Sequence, residues 1–476
     1  MGGSIDSTGA ASKDALRILL INQAWLAPEL RALGHEVRTA GWVHPAFDLQ
    51  FERLLSFPTL LEQLKPFQPD MAVYFDDSTS VSVLDLEHAC VPTAFVSVDA
   101  HHHTSWHRGL AACFNRALVA QKDFLPAFAE FIGSSDHAPL WLPLWAPKPV
   151  VQSEQRDIPV CFRGNLDPRQ HPARAAFFQR LRARVPVDAD GGPYPAAYPR
   201  AKIIVNQTVA KDLNFRVFEA LQCGALLITP RIRNGMEELF ETGRELLLYD
   251  EDDDEQVAEL IRYYLTHEEE RIRIAAQGQR KVLAKHTAAN RATELVRALR
   301  QLPATRPNGC HLGAAMAYLQ GVLSELLRTS REPTAIDRYL NAAAKAIEES
   351  ARLKERSDAD FEVTVMKCVA YAREVGRSDI ALRVSGVAFN AYPTNTLLRM
   401  NVCENLLRAG RAEDARRLFG LPVAPVGSSE EQTLAEQERT SLLEQAAELM
   451  RGAQQSILEQ LLQAREQQCN PRPLHL

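Results

Sequence analysis

Residues 201–240, AKIIVNQTVAKDLNFRVFEALQCGALLITPRIRNGMEELF, decide the fold of this chain. Two short aliphatic runs, one beginning at Ala201 and one ending at Pro230, are each followed by a loop and a segment with helical apolar spacing. This order of strand, loop, helix, strand, loop, helix predicts parallel strands joined by crossover helices. A parallel sheet of this kind is covered by helices on both faces.

The same alternation extends in both directions from this stretch. Downstream, the sequence predicts strands near 160, 203, 226 and 247, and helices over 173–184, 215–223 and 256–300. Upstream, RILLIN from Arg17 opens a second series, with apolar runs at 71–75, 93–98, 117–120 and 140–142. The Pro-rich crossing WLPLWAPKPV (Trp141–Val150) separates the two series and is interpreted as a hinge. We therefore expect two tandem Rossmann-like domains, over 15–150 and 151–302, after a flexible segment over 1–14.

A third, all-helical domain is expected over residues 303–476, because the strand signals disappear there. The segment is helix-forming apart from a Pro/Gly break at 421–428. Within it Gly376, Arg377 and Ala381 recur 34 residues later as Gly410, Arg411 and Ala415. This period, with Ala388 and Pro393 in place, resembles the tetratricopeptide repeat, in which stacked hairpins bury one another's apolar faces. Unrelated hairpins that share a glycine turn are the alternative.

Charge and cysteine content limit the classes of function. The chain has 54 basic and 60 acidic side chains, a net charge of -6 and no basic block, so nucleic acid is not an expected partner. None of its eight cysteines lies in a paired metal-binding spacing, so we expect a reducing, cytoplasmic location. No run approaches the ~20 apolar residues of a membrane span, and none is expected.

The segment NFRVFEALQCGALLITP (Asn214–Pro230) resembles the donor-binding motif of group 1 glycosyltransferases, and especially the spore-maturation CgeB-type branch. The resemblance runs from about Ile158 to Leu299 and includes the glycine turn FRGNLDPR (Phe162–Arg169). It implies the α/β GT-B fold, in which two tandem Rossmann-like domains carry the acceptor and the sugar nucleotide respectively. Here a tetratricopeptide-like all-α domain, residues 303–476, would follow them.

The resemblance also implies which residues hold a nucleotide-diphosphate sugar. Glu219 stands where a carboxylate accepts hydrogen bonds from both ribose hydroxyls. Asn214 and Arg216 lie at the same helix start, where backbone N–H groups and a guanidinium can hold phosphate oxygens. Gly164, lacking a Cβ, would let the backbone approach the diphosphate. The remaining expected donor contacts are Asn165, Arg169 and Asn206.

Each of these assignments has a plainer alternative. Glu219 could be a solvated helix residue, Arg216 a surface ion pair and Asn206 a turn cap. Many group 1 enzymes also carry a second glutamate eight residues before the ribose carboxylate, where this chain has Lys211. The departure leaves the handling of the sugar and the stereochemical outcome open.

Candidates for the acceptor side lie in VSVDAHHHTSWH (Val96–His107). Asp99 and His101 follow a predicted strand at its C-terminal end, the edge at which open α/β sheets place active groups. They are the predicted catalytic residues, as a general base or as groups that orient the acceptor hydroxyl. His103 and His107 are spaced to share a helix face, but no cysteine or carboxylate completes a zinc site in the sequence. Loop histidines without a role are the alternative.

The sequence thus predicts a cytoplasmic, hexosyltransferase-like glycosyltransferase that uses a nucleotide-diphosphate sugar, with a protein acceptor docked by the helices after residue 302. No cofactor or metal is expected, since Arg216 and helix N-termini can neutralise the leaving diphosphate. The alternatives are a GT-B-like binding scaffold without turnover and a sugar-nucleotide epimerase on the same fold.

Overall fold

The computed structural model describes residues 15–42, 47–147, 153, 155–328 and 330–418, with isolated positions between 441 and 459. The predicted flexible segment 1–14, the end of the Pro-rich crossing and the predicted break at 421–428 lie outside the described residues. Within the described part of the chain, no helix is long and apolar enough to cross a membrane.

The described residues of the first α/β unit form nine strands and four α-helices. The strands are β1 (Arg17–Ile21), β2 (Glu36–Trp42), β3 (Leu49–Phe51), β4 (Leu55–Ser56), β5 (Met71–Phe75), β6 (Val83–Leu84), β7 (Thr93–Ser97), β8 (Arg116–Val119) and β9 (Leu140–Trp141). The helices are α1 (Ala27–Ala32), α2 (Phe57–Gln63), α3 (Ala100–Ala111) and α4 (Leu125–Ile132). Seven strands form one parallel sheet in the order β3-β2-β1-β5-β7-β8-β9, while β4 and β6 pair separately.

The second α/β unit is a five-stranded parallel sheet with helices on both sides. Its strands are β10 (Ile158–Arg163), β11 (Asp188–Asp190), β12 (Ala201–Val205), β13 (Leu226–Pro230) and β14 (Leu247–Tyr249), in the order β11-β10-β12-β13-β14. Its helices are α5 (Pro172–Arg184), α6 (Tyr194–Ala197), α7 (Phe215–Gln222), α8 (Met236–Leu239), α9 (Asp254–Thr266), α10 (Glu268–Lys285) and α11 (Ala288–Leu299). The two parallel sheets confirm the predicted fold class.

Local sequence explains where the central helix of this unit begins and ends. α7 buries Val217, Phe218 and Leu221 on one face. It ends before Gly224, whose φ of +67° lies in the left-handed region that glycine adopts without steric cost. The predicted helical stretch over 256–300 consists of three helices, and a capping box between Thr287 and Asn290 begins the last of them.

The Pro-rich crossing between the two units is packed rather than free. Arg291 of α11 is 1% exposed, and it donates to the carbonyl oxygens of Pro143 at 2.6 Å and Leu144 at 3.3 Å. The N–H of Ala146 donates to the carbonyl of His286 at 2.8 Å. One continuous apolar cluster also includes residues of both units. The described part of the crossing, interpreted from its prolines as a hinge, is therefore fixed by hydrogen bonds to the second unit.

The described helices after residue 302 form a helical arm. They are α12 (Cys310–Leu327), α13 (Pro333–Leu353), α14 (Ala359–Glu374), α15 (Ser378–Ala391), α16 (Thr396–Arg408) and α17 (Ala412–Leu418). Gly376 and Gly410 occupy the turns between α14 and α15 and between α16 and α17, with φ of +76° and +72°. The repeated glycines therefore do mark equivalent inter-helix turns.

The arm does not bury its apolar faces only within itself. Gly313 of α12 packs against Gly109 of α3 so closely that a Cβ on Gly313 would overlap the Gly109 carbonyl. Tyr318 of α12 donates to Glu87 at 2.5 Å, and Arg108 forms an ion pair with Asp360 at 2.5 Å. One apolar cluster runs from the first sheet into the arm. The arm is therefore not self-contained, because α12 is also a covering helix of the first α/β unit.

Candidate functional site

The glycine turn after β10 borders the candidate donor site. The N–H of Gly164 donates to the carbonyl of Asp190 at 2.9 Å. A Cβ at Gly164 would lie 2.6 Å from Nη2 of Arg216. The missing Cβ therefore makes room for the Arg216 guanidinium, whereas the sequence suggested that it makes room for a diphosphate.

Arg216 lies in the first turn of α7 and reaches back to this turn. Its Nε donates to the Arg163 carbonyl and its Nη1 to Oδ1 of Asn206, both at 2.9 Å. The guanidinium carbon is 4.8 Å from the centroid of the Phe162 ring. Among the described side chains no carboxylate forms an ion pair with Arg216, so the predicted alternative of a surface ion pair does not apply.

A second arginine, Arg174 of α5, stands at the same ring. Its guanidinium carbon is 5.8 Å from the Phe162 centroid, and the side chain is buried. Nε and Nη2 donate to the side-chain and backbone oxygens of Gln207 at 3.2 and 3.1 Å, and Nη1 donates to the carbonyl of Asn165 at 3.3 Å. Burial, and then the positive charge of Arg216, lower the pKa of Arg174 to about 10.

The two guanidinium groups have only neutral partners. Within the described residues neither Arg174 nor Arg216 has a carboxylate at ion-pair distance, and a guanidinium group is not deprotonated in proteins. Buried or half-buried charges are ordinarily compensated by an opposite charge. This side of the second sheet therefore carries two cationic groups that no described carboxylate balances.

Glu219 lies on α7 one turn after Arg216. Burial raises the pKa of its carboxyl to about 7, and the charge of Arg216 offsets part of this rise. Among the described residues no donor forms a hydrogen bond with the Glu219 carboxylate. A poorly solvated carboxylate without donors is suited to accept hydrogen bonds from ligand hydroxyls, and this environment differs from the solvated helix position considered as the alternative.

Asn206 contacts Arg216, and Asn214 lies at the start of α7. Asn206 is fully buried; its Nδ2 donates to Oγ1 of Thr229 at 3.0 Å, and its Oδ1 accepts from Arg216. A ligand could reach its side chain only by displacing protein groups, so its place is that of a positioning residue for Arg216. Asn214 occupies the N-cap position of α7 and is half-buried, with no hydrogen bond from its side chain to the helix N–H groups.

Three other residues singled out in the sequence lie on exposed loops. Nδ2 of Asn165 donates to Oε1 of Gln170 at 2.7 Å. Arg169, whose side chain is 71% exposed, forms an ion pair with Asp167 of its own loop at 2.9 Å. Lys211, which replaces the second glutamate, has a φ of +56° and forms an ion pair with Glu251 at 2.8 Å. The structure thus does not bring Arg169 or Lys211 into contact with Arg216 or Glu219.

The predicted catalytic residue Asp99 lies at the C-terminal edge of the first sheet, just before α3. Its N–H donates to Oδ2 of Asp76 at 2.8 Å, and the Ser78 hydroxyl donates to its Oδ2. Asp76 follows β5 and is 4% exposed. Burial, and then the charge of Asp99, raise the pKa of Asp76 to about 6. Burial also raises the pKa of the adjacent Asp77 to about 6.

Histidines of α3 lie next to the carboxylates of Asp76 and Asp99. Burial lowers the pKa of His103 to about 4 and that of His107 to about 3, so both imidazoles are neutral at pH 7. Their rings lie 5.1 Å apart, as their spacing predicted, and Nε2 of His107 is 3.6 Å from Oδ1 of Asp76. Nδ1 of His101 is buried without a hydrogen-bond partner in the described part of the structure.

The two α/β units meet between these groups. Gln121, at the end of β8, exchanges hydrogen bonds with the backbone of Leu213 just before α7, at 2.9 and 3.2 Å. The Trp25 ring contacts both Phe75 and Phe215, with centroid distances of 5.9 and 5.6 Å. Phe75 directly precedes Asp76, and Phe215 directly precedes Arg216. The residues that precede Asp76 and Arg216 therefore meet at one junction between the two units.

Sequence reasoning missed Arg174 and Asp76. The pair Asp76–Asp77 directly follows the buried run MAVYF, so the strand-end rule that selected Asp99 would have selected it too. For Arg174 the sequence offers no comparable signal, because its neighbours Arg216 and Phe162 lie on other elements.

The second unit matches a known family model, and the chain has similarity to several solved structures. Residues 153–297 match the family model described as "Glycosyl transferase-like". A glycosyltransferase from Rickettsia africae is 10% identical with a TM-score of 0.46, over 61% of this chain and 100% of that one. HepE from Anabaena, solved with UDP and glucose, is 13% identical with a TM-score of 0.44, over 60% and 100%. Sucrose-phosphate synthase from Thermosynechococcus elongatus is 12% identical with a TM-score of 0.45, over 60% and 99%. No curated protein matches the chain in sequence.

Proposed function

We infer that the chain is a glycosyltransferase that moves a sugar from a nucleotide-diphosphate donor to an acceptor hydroxyl or amide. The observation that carries this conclusion is the grouping of two arginines without carboxylate partners and one poorly solvated carboxylate on a segment that matches a glycosyltransferase-like family model. We further propose, from the sequence motif alone, that the chain belongs to the CgeB-type branch and uses a hexosyl donor.

The donor would lie across the start of α7. Arg174 and Arg216 neutralise the diphosphate, and Glu219 accepts hydrogen bonds from the ribose hydroxyls. Gly164 and Asn206 would act through Arg216 and not on the donor directly. Gly164 makes room for the Arg216 guanidinium, and Asn206 holds it by a hydrogen bond. Asn214 and Asn165 border the same region, whereas Arg169 would have to leave Asp167 to take part.

Transfer breaks the bond between the anomeric carbon and the diphosphate oxygen and forms one to the acceptor atom. The departing diphosphate gains negative charge, which the two arginines stabilise more strongly than in the ground state. This cationic pair can supply that charge without a metal ion. The acceptor proton passes to a base at the edge of the first sheet, for which Asp99 and His101 are the candidates. Asp76, hydrogen-bonded to the Asp99 N–H, would hold that edge in place.

We also propose a cytoplasmic location and a protein partner. The described cysteines are all unpaired thiols, as a reducing cytoplasm would keep them. The helical arm, with its tetratricopeptide-like period, would dock a protein that carries the acceptor group. Because α12 packs on α3, a docked protein would lie near the edge that carries Asp99.

A screen of nucleotide sugars by thermal unfolding tests the donor site directly. A cognate donor at about 100 times its dissociation constant should stabilise the protein by about 2.7 kcal/mol. Slow hydrolysis of that donor without acceptor would establish turnover. Tight binding without hydrolysis or transfer to any acceptor would instead favour the scaffold, and no binding of any nucleotide sugar would refute the donor site.

A further inference from the structure

Three side chains outside the proposed active site converge where the helical arm begins. Cys310 and His311 are the first two residues of α12, and Glu355 lies in the connection between α13 and α14. The Glu355 and His311 side chains are only 4% and 12% exposed. Their ligand atoms, Sγ, Nδ1 and a carboxylate oxygen, all lie within 4.8 Å of one another.

Two of the three distances within this group are close to those of a metal coordination sphere. Sγ of Cys310 is 3.5 Å from Nδ1 of His311 and 3.7 Å from Oε1 of Glu355. A tetrahedral zinc ion with bonds of about 2.3 Å to sulfur and about 2.0–2.1 Å to nitrogen and oxygen separates such atoms by about 3.3–3.6 Å. The 2.7 Å separation of Nδ1 and Oε1 is that of a hydrogen bond, and it would widen by about 0.6 Å around the ion.

A nucleophilic triad does not explain the same contacts. In a triad the thiol and the carboxylate bind opposite nitrogens of the imidazole, so that a proton can pass across the ring. Here Cys310 and Glu355 both contact Nδ1 of His311. All three atoms therefore face one common point, which suits an ion and not a proton relay.

Neighbouring groups hold the carboxylate in position. Oε2 of Glu355 accepts from the N–H of Leu312 at 3.2 Å, which leaves Oε1 turned toward His311. A second contact of this kind is the usual outer-shell support of a metal ligand. The thiol is also well placed, because negative charge on Cys310 would lie in the first turn of α12, where the helix dipole favours it.

His88 brings the first α/β unit into this group. It ends the short 3-10 helix Leu86–His88, and its ring centroid lies 5.3 Å from that of His311. Its side chain is 42% exposed, and its Nε2 lies 4.0 Å from Oε1 of Glu87. To reach the same point, the ring would have to rotate from this position. A fourth ligand from this residue would complete a set of one sulfur, two nitrogens and one oxygen, which is typical of zinc.

We propose that Cys310, His311, Glu355 and His88 form a structural zinc site that fastens the helical arm to the first α/β unit. The four ligands come from three separate stretches of the chain, so the ion binds the folded protein and not the unfolded one. Zinc would then stabilise the packing of α12 by linkage.

The test uses the full-length protein, stripped with a chelator, incubated with zinc chloride and separated from free ions by gel filtration. Elemental analysis should find about one zinc per chain in the wild type and in the control Cys90→Ser, which alters an exposed cysteine. Cys310→Ser and His311→Ala should weaken zinc binding at least about tenfold. Zinc should raise the melting temperature of the wild type but not of Cys310→Ser.

Two further measurements keep the outcome decisive. Cobalt(II) added to the stripped wild type should give the near-ultraviolet absorption of a thiolate ligand, which needs no variant to fold. No zinc retained by the wild type, no thiolate absorption, or full binding by a folded Cys310→Ser would overturn the site and leave a capping ion pair between His311 and Glu355. Unchanged zinc affinity in His88→Ala would overturn its role as the link between the two units.

Discussion

Replacing Glu219 by glutamine should weaken donor binding and, in the absence of donor, stabilise the protein at pH 8. The amide keeps the shape of the side chain and one acceptor oxygen but removes the charge. A hydrogen bond to a charged group contributes about 1.5–3 kcal/mol. The dissociation constant of the cognate nucleotide sugar should therefore rise at least about tenfold, the factor that ~1.4 kcal/mol represents.

The opposite effect on stability follows from the pKa of Glu219. Burial raises it from 4.5 to about 7, so the folded state holds the proton more tightly than the unfolded state. The stability that this proton confers is full below pH 4.5 and is lost as the pH rises through 7. At pH 8 the ionised Glu219 carboxylate lowers the free energy of unfolding of the wild type by at most ~3 kcal/mol. Solvent screening reduces this effect, because the Glu219 side chain is partly exposed. Glutamine does not carry that cost.

The assay is thermal unfolding of wild type, Glu219→Gln and Glu219→Ala from pH 4.5 to 8, with and without the nucleotide sugar found in the screen. Glu219→Gln should melt above the wild type at pH 8, and the difference should vanish toward pH 4.5. Donor affinity should fall from wild type through Glu219→Gln to Glu219→Ala. If all three folded proteins bind the donor equally well, the carboxylate is not at the ribose.

The remaining predictions concern the phosphate contacts, the base and the arm. Arg216→Gln should raise the dissociation constant of the donor at least about tenfold. The matched control Arg169→Gln, on an exposed loop, should change that constant less than about twofold. Equal effects of the two variants, measured by calorimetry, would contradict the assignment of Arg216 to the diphosphate. Asp99→Asn should lower the transfer rate by about 10²–10⁴-fold with donor affinity nearly unchanged, and a wild-type rate would exclude Asp99 as the base. Gly313→Ala should lower the free energy of unfolding by ~1–3 kcal/mol, because the added methyl group overpacks the contact with Gly109. Gly386→Ala, at a helical position with open space around it, should raise the free energy of unfolding by ~0.5–1 kcal/mol. Chemical denaturation measures both changes.

Most strands of the two larger sheets were predictable because their signal is local, whereas the short edge strands β3 and β11 were not predicted. Met71–Phe75 was predicted with the same bounds that β5 has, since a parallel strand buried on both faces appears as an unbroken apolar run. The glycines at 376 and 410 were predictable as turns because their left-handed φ leaves few other residue types. The strand pattern depends on residues only a few positions apart, and the glycine pattern depends on a repeat of 34 residues.

The site was predictable only where one motif contains it. Arg216 and Glu219 lie three residues apart on one helix, so a single stretch of sequence selects both, although their roles remain predictions. Arg174 comes from α5, and only the folded sheet places it at the ring of Phe162 beside Arg216. The contact between Gly164 and Arg216 was not predictable for the same reason, since the atom that fills the Cβ space comes from another element.

The arm and the acceptor edge are joined by one helix, and this has a consequence for how an acceptor would be used. α3 has 12 residues and is about 18 Å long. Asp99 and His101 lie at its N-terminal end, and Gly109 near its other end touches the backbone of α12. A helix transmits a displacement along its axis with little bending. A protein bound to the arm that shifts α12 should therefore also shift the candidate base, so docking and catalysis would be coupled through the contact between Gly109 and Gly313.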